Sequence, residues 1–180
     1  TARWIACDEL KGLGAGLQLG QWIWVPDAPA QVPTAFFRRS FDLAPSMKIA
    51  EAIIKLNADN AFELYVNGGF VGGCRYWDMP REYDVTPDVR PGLNVIAVKV
   101  VNSVDPGGLR AALRIRFVDG RLFDLASDAD WLVNTTEQTK WQEPDFDQST
   151  WQHAVVLPAD KADRWKQIQD PFGPPRSVCL

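Results

Sequence analysis

A strand that runs directly into a tight turn is the feature that most constrains the fold of this chain. From Phe62 to Val66, apolar residues alternate with residues that carry polar groups, which is the period of a β-strand with one buried face. Asn67 and Gly68 follow at once, and both tolerate the positive φ that a two-residue hairpin turn requires. The pattern therefore predicts two antiparallel strands joined at this turn.

Other short strands are expected on both sides of this hairpin. The ranges 37–43, 50–58 and 109–117 show two-residue alternation, and the range 95–101 is apolar nearly throughout. A parallel sheet needs helices between its strands, and the one helical candidate is the short range 159–168. The sequence predicts an all-β fold, an antiparallel β-sandwich.

The 180 residues are enough for one domain with a substantial core. We expect an irregular glycine-rich segment over residues 1–21, the β-sandwich over residues 22–170, and a proline-rich linker or tail over residues 171–180. Because the chain starts at Thr1 and not at methionine, we interpret it as a piece of a longer protein.

Charge and residue counts argue against several classes of function. The net charge of −4 does not favour a nucleic acid or an anionic membrane as partner. His153 is the single histidine, which rules out a triad or a zinc site needing several histidines. Carboxylates are numerous, but Asp128, Asp130, Asp145 and Asp147 lie among turn residues, and we expect the chain not to be an enzyme.

Three cysteines, Cys7, Cys74 and Cys179, leave at least one thiol unpaired. Cys7 and Cys179 lie near opposite ends of the chain, so one bridge between them stays open as an alternative. Neither the cysteine count nor the spacing decides the redox compartment.

Asp59 and Asn60 follow a predicted core strand at the point where it breaks into a loop. Their side-chain oxygens suit a hard cation or a sugar hydroxyl. The alternative is that both residues form a turn and bond their own backbone.

A second pair of alternatives concerns one strand face that carries Arg110, Arg114 and Arg116. These arginines either receive an anionic glycan or pair with neighbouring acids on a solvated face.

Several segments, taken in order, resemble a known family: the galactose-binding-like β-sandwich (jelly-roll) modules attached to bacterial glycoside hydrolases. The likeness is to the rhamnose-binding modules of α-L-rhamnosidases and to the sugar-binding-like domains of β-galactosidase-type enzymes, over roughly residues 22–157. The segments that carry it are 36–43, 58–72, 83–86, 90–98, Trp141 and 146–151.

The resemblance implies a ligand site. In rhamnose-binding modules of this type, a calcium ion in the cleft helps to hold the hydroxyls of the sugar. Position by position, the implied metal ligands are Asp59, Asn60, Asn102 and the carbonyl-bearing turn at Pro106. The implied sugar ligands are Asp59, Asn60, Asn102, Trp77, Arg75 and Tyr76. For Trp77 the sequence leaves two roles open, a platform for the sugar ring or a plug in the core.

The expected function is that of a non-catalytic carbohydrate-binding module in a larger, extracytoplasmic glycoside hydrolase. It would hold a rhamnose-like or related sugar in a shallow cleft, with or without calcium. Its partners would be a carbohydrate and a covalently linked catalytic domain, with no nucleic acid and no membrane. The alternative is a structural accessory domain of a glycosidase that has no ligand of its own.

Overall fold

The structure, a computed structural model, describes residues 17–27, 32–103, 106–166 and 168. The predictions for Cys7, Cys179, residues 1–16 and residues 171–180 fall outside this part of the chain. The strands are β1 (Ile23–Trp24), β2 (Thr34–Leu43), β3 (Ile49–Asp59), β4 (Ala61–Val66), β5 (Gly69–Cys74), β6 (Arg81–Asp84), β7 (Gly92–Val101), β8 (Gly108–Phe117), β9 (Leu122–Ala126), β10 (Leu132–Asn134), β11 (Gln152–His153) and β12 (Val155–Val156). Helix α1 (Ala159–Ala162) continues into a 3-10 turn (Asp163–Trp165).

Two antiparallel sheets form the fold. Sheet A has the order β12-β1-β8-β3-β6, with β9 also paired to β8, and sheet B has the order β11-β10-β2-β7-β4-β5. The predicted all-β antiparallel sandwich is therefore confirmed. The predicted hairpin is also confirmed, since β4 and β5 meet at Asn67 and Gly68, whose φ values are +51° and +84°.

The core lies between the inward faces of the two sheets. Ile54 and Leu56 of β3 point into it from sheet A, and Phe37 of β2 and Val98 of β7 point into it from sheet B. All four side chains are fully buried. The two-residue alternation of the strands thus separates core positions from outward positions, as an amphipathic strand requires.

The outward face of β3 is buried as well, which the alternating pattern did not indicate. Lys55 and Asn57 have no exposed surface. Lys55 Nζ lies 3.6 Å from Glu82 Oε2 on the neighbouring strand β6. Neither amide atom of the Asn57 side chain has a hydrogen-bond partner among the described residues. Asp59 lies further along this same buried face, two positions beyond Asn57.

A loop after β10 covers the outward face of sheet B around Arg38 of β2, which is only 1% exposed. The Arg38 guanidinium lies over the rings of Phe146 and Trp151, 5.0 Å and 5.9 Å from their centroids. Burial lowers the pKa of Arg38 to about 10. Its hydrogen-bond acceptors are the carbonyl oxygens of Trp141 and Glu143 and Oε1 of Gln148.

The arginines on β8 separate into two groups. Arg114 pairs with Asp124 at 2.7 Å, and Arg116 pairs with Glu51 at 2.8 Å. For these two the paired, solvated alternative is confirmed. Arg110 instead is half-buried, with its guanidinium 5.1 Å from the centroid of the Trp22 ring.

In the part of the chain that the structure covers, we find no helix with the length and apolar character needed to span a bilayer.

Candidate functional site

A cleft opens at the end of the sandwich where β3 passes into β4. Its volume is about 380 Å³, and the described residues that line it are Asp59, Asn60, Trp77 and Arg164. Asp59 is the last residue of β3. A cis peptide bond joins it to Asn60, which leads into β4. Two of the sequence-predicted ligands are thus placed side by side by the strand-to-strand connection.

The two carboxylate oxygens of Asp59 have different surroundings. The residue is only 2% exposed, and Trp165 Nε1 donates a 2.8 Å hydrogen bond to Oδ2. Arg164 Nη2 lies 3.7 Å from the same oxygen. Oδ1 is buried and has no hydrogen-bond partner among the described residues. Burial raises the pKa of the Asp59 carboxyl, while the Trp165 hydrogen bond and the Arg164 charge act in the opposite direction.

Asn60 connects two loops and does not bond its own turn. Its side-chain Oδ1 accepts hydrogen bonds from the backbone nitrogen and the hydroxyl of Ser103, at 2.6 Å and 2.8 Å. Its backbone nitrogen donates to the carbonyl oxygen of Val101 at 2.9 Å. These contacts hold the end of β7 next to the Asp59–Asn60 connection.

Asn102 follows β7 at this end of the sandwich and is 6% exposed. Its Nδ2 donates a long hydrogen bond of 3.4 Å to the carbonyl oxygen of Val32. Its Oδ1 is buried without a partner among the described residues, as Asp59 Oδ1 is. Because an unpartnered buried acceptor costs folding free energy, these two oxygens at one end of the fold are candidates to bind a ligand, an ion or a water.

Pro106 also lies at this end of the fold. It is two positions before Gly108, which pairs with Asp59 in the sheet. Gly108 has a second role that the sequence did not reveal. A Cβ atom there would lie 2.8 Å from the Trp165 ring and 2.9 Å from the Trp22 ring, so only glycine lets these indoles pack on the strand. The turn is thus built for close tryptophan packing.

Trp77 combines parts of both roles that its sequence position left open. It is half-buried against a cluster of Trp22, Trp165 and Ile168, and it also lines the cleft. Two other predicted ligands precede it on the same loop. Arg75 and Tyr76 are exposed, and neither is among the described residues that line the cleft. Their ligand role stays a prediction.

Arg164 and Trp165 are the site residues that the sequence reasoning missed. They come from the 3-10 turn after α1, and Trp165 is 106 positions away from Asp59 in the chain. Nothing in their local pattern indicates a site, because the segment is short and mostly exposed. Two signals together indicate the packing that brings them here: a tryptophan after the last strand, and the pair Gly107-Gly108 where β8 begins.

The donor set suits a hard cation of the calcium type. Among the described residues, no three His, Cys, Asp or Glu side chains cluster together, so a metal here would have to rely on one carboxylate plus amide and carbonyl oxygens. Calcium accepts such oxygens and waters, whereas zinc prefers nitrogen and sulfur ligands. The unpartnered Oδ1 atoms of Asp59 and Asn102 are the oxygens that fit this chemistry.

Comparison with known proteins supports the sequence resemblance. The model of the family described as "Glycosyl hydrolases family 2, sugar binding domain" matches residues 15–111. An α-L-rhamnosidase from Streptomyces avermitilis is 32% identical over 180 residues. The alignment covers 93% of this chain and 17% of that enzyme, so the chain spans less than a fifth of its relative.

Two solved structures of sugar-binding proteins have folds similar to that of this chain. The crystal structure of Streptomyces avermitilis α-L-rhamnosidase complexed with L-rhamnose has a TM-score of 0.69 at 33% identity, covering 76% of this chain and 14% of the enzyme. The crystal structure of the lectin from Pleurotus ostreatus in complex with GalNAc has a TM-score of 0.71 at 27% identity, covering 78% of this chain and 42% of the lectin. The family match includes Asp59, Asn60, Trp77 and Asn102 but ends before Arg164.

Proposed function

Because this chain belongs to the family of sugar-binding domains of family 2 glycosyl hydrolases, we propose that it is the non-catalytic carbohydrate-binding module of a larger glycoside hydrolase. One observation carries the proposal. The buried carboxylate of Asp59, with one oxygen unpartnered, lines the same cleft as the half-buried indole of Trp77, and the unpartnered Oδ1 of Asn102 lies at the same end of the sandwich without lining that cleft among the described residues.

Each residue has a role that its surroundings support. A calcium ion, when bound, supplies a hard positive centre for sugar hydroxyls. Asp59 Oδ1, Asn102 Oδ1 and the carbonyl of Pro106 would hold it, and Asn60 would contribute its main-chain carbonyl, because its Oδ1 already accepts from Ser103. With a single carboxylate the calcium affinity is weak, with a Kd of ~0.1–1 mM. Such a site fills only where calcium is abundant, which favours an extracytoplasmic location.

The sugar itself is proposed as a pyranose with neighbouring hydroxyls. The ligands named with the two similar structures, L-rhamnose and GalNAc, are both sugars of this ring type. The accessible part of the Trp77 indole would cover the apolar face of the ring, as aromatic side chains do in such sites. A shallow, partly open site of this kind binds with a Kd between ~10 μM and ~1 mM.

The test is a thermal-shift titration of the chain with L-rhamnose, galactose and GalNAc, each with calcium chloride and with a chelator. A ligand that binds only the native state stabilises it, by about 2.7 kcal/mol when its concentration is a hundred times Kd, and therefore raises Tm. We expect a sugar-dependent rise in Tm that disappears with chelator. Asp59→Ala should abolish it, while Arg114→Ala, on an exposed ion pair, should leave it unchanged.

A rise with calcium alone would reduce the site to a structural metal site. No response to any sugar would favour the alternative, a structural accessory domain that supports a neighbouring domain. Two exposed apolar side chains on the β8–β9 hairpin, Val118 and Leu122, are the observation that favours this alternative. They are 67% and 54% exposed, and exposed apolar groups are used for docking between domains.

A further inference from the structure

We propose that Trp165 is a positioning residue for the cation at this site: its indole N–H holds one oxygen of Asp59, so that the other stays available to the ion. This inference rests on the proposed function and adds to it. The matched family region ends at residue 111, so the match itself assigns no role to the C-terminal turn.

The hydrogen bond that carries the inference is buried at both ends. Trp165 and Asp59 are each 2% exposed, and Nε1 lies 2.8 Å from Oδ2. An indole N–H is a donor only, so it cannot itself compete for a cation. Because the two carboxylate oxygens rotate together, fixing Oδ2 also fixes Oδ1, the buried oxygen without a partner.

Trp165 is itself held in place. Its ring stacks on Trp22 with centroids 4.2 Å apart and planes inclined by 23°. Both rings pack over Gly108, where a side chain would collide with them. Gly108 pairs with Asp59 across β8 and β3, so one strand pair fixes both partners of the hydrogen bond.

Arg164 adds an electrostatic bias in the same direction. Its Nη2 lies 3.7 Å from Asp59 Oδ2 and thus places a positive charge on the side of the carboxylate that Trp165 already occupies. A cation is repelled more strongly at Oδ2 than at Oδ1, so Oδ1 is the more favourable of the two oxygens. The turn of residues 163–165 therefore orients the carboxylate and also directs the ion to one of its two oxygens.

The consequence is preorganisation of the site before the ion arrives. When the N–H is lost, Oδ2 must find another donor or the carboxylate must rotate, and either change has to be reversed when calcium binds. Because calcium binding then has to reverse this change, calcium affinity should fall about tenfold.

Trp165→Phe in the 180-residue chain tests this role, because phenylalanine keeps an aromatic ring beside Trp22 and removes the N–H. Trp151→Phe is the matched control. Its Nε1 also donates a 2.8 Å hydrogen bond, to Gln138 Oε1, and it packs on the opposite sheet. Calcium chloride is titrated by calorimetry, followed by L-rhamnose in saturating calcium, and each variant's Tm is recorded in chelator.

We expect Trp165→Phe to lower calcium affinity about tenfold and Trp151→Phe to leave it within about twofold, with both variants folded in chelator at the temperature of the titration. Wild-type calcium affinity in Trp165→Phe would overturn the inference and leave the proposed function standing. If the wild-type chain binds neither calcium nor any tested sugar, the proposed function itself fails, and this role fails with it.

A measurement on the unmodified chain keeps the inference testable if Trp165→Phe does not fold. The indole N–H resonances of Trp165 and Trp151 are assigned in a nitrogen-15-labelled sample, and calcium chloride is added. We expect the Trp165 resonance to move with the same midpoint as the calorimetric titration, while the Trp151 resonance stays in place. An unmoved Trp165 resonance at saturating calcium would contradict the role.

Discussion

Arg38 and Asp59 are both buried charges on outward faces of the sandwich, yet their surroundings differ. The Arg38 guanidinium donates to two backbone carbonyls and to one glutamine side chain, and two aromatic rings cover it. Asp59 has one oxygen held by Trp165 and one without a partner among the described residues. The buried charge on sheet B thus has its hydrogen-bonding groups paired within the fold, whereas the buried charge on sheet A has only one of its two oxygens paired among the described residues.

The difference separates a structural charge from a binding charge. A structural charge is stable when its hydrogen-bonding capacity is used within the fold, because leaving a buried polar group unpaired costs about 1–3 kcal/mol. A binding charge must keep some of that capacity for its ligand and bears the cost in the free protein. Variants at the two positions should therefore change different measured quantities.

The largest effect on stability is expected at Arg38. Arg38→Met removes the donors to the loop after β10 and should lower the free energy of unfolding by about 3 kcal/mol. Chemical denaturation in chelator measures this change. Calcium and sugar affinity should stay unchanged, because Arg38 lies on sheet B while Asp59 lies on sheet A. A loss of sugar affinity in this variant at low temperature, where it is folded, would show that the two regions are coupled.

The next effect is expected at Asp59 and concerns the ligand. Asp59→Asn should abolish the calcium-dependent rise in Tm, since it removes the one carboxylate that lines the cleft among the described residues. Burial raises the pKa of Asp59 in the folded state, so its charged form opposes folding at neutral pH. In chelator the variant should thus be at least as stable as the wild-type chain.

A smaller effect is expected at Trp77. Trp77→Ala should reduce sugar affinity about tenfold, by removing the aromatic face that covers the ring, and should leave calcium affinity unchanged. Calorimetry with calcium and then with sugar separates the two effects. Because Trp77 is half-buried against the Trp22 cluster, a loss of about 1 kcal/mol in stability should accompany the change. Complete unfolding would instead assign Trp77 to the core.

The smallest effect is expected at Arg114. Its ion pair with Asp124 is exposed, so Arg114→Ala should change the free energy of unfolding by less than about 0.5 kcal/mol. Binding of neutral sugars and of an anionic glycan such as polygalacturonate should match that of the wild-type chain, as measured by calorimetry. A selective loss of polygalacturonate binding would restore the alternative in which the arginines of β8 receive an anionic ligand.

The sandwich could be predicted from sequence because its signals are local. Alternation over 50–58 and the pair Asn67-Gly68 depend only on neighbours in the chain, and the structure places them on β3 and at the β4–β5 turn. Placing Asp59 and Asn60 at a candidate site followed from the same local signal, a core strand ending in oxygen-bearing side chains. What alternation did not predict is that Lys55 and Asn57 on the outward face of β3 are buried too.

The rest of the site could not be predicted because it depends on contacts distant in sequence. Trp165 reaches Asp59 across 106 positions, and the packing depends on the missing side chain of Gly108. Neither residue's local pattern carries that information. The same limit applies to Trp77, whose partial exposure is decided by where Trp22 and Trp165 stack.

The short pairing of β12 with β1 has a mechanical consequence. β12 is an edge strand joined to β1 by only two residue pairs, and the turn that bears Trp165 follows it. A force applied to the chain after this turn reaches the Trp165 contacts and the two β12 pairs before it reaches the long strands. We therefore expect such a force to separate the indole from Asp59 first, and ligand binding at Asp59 to weaken before the sandwich unfolds.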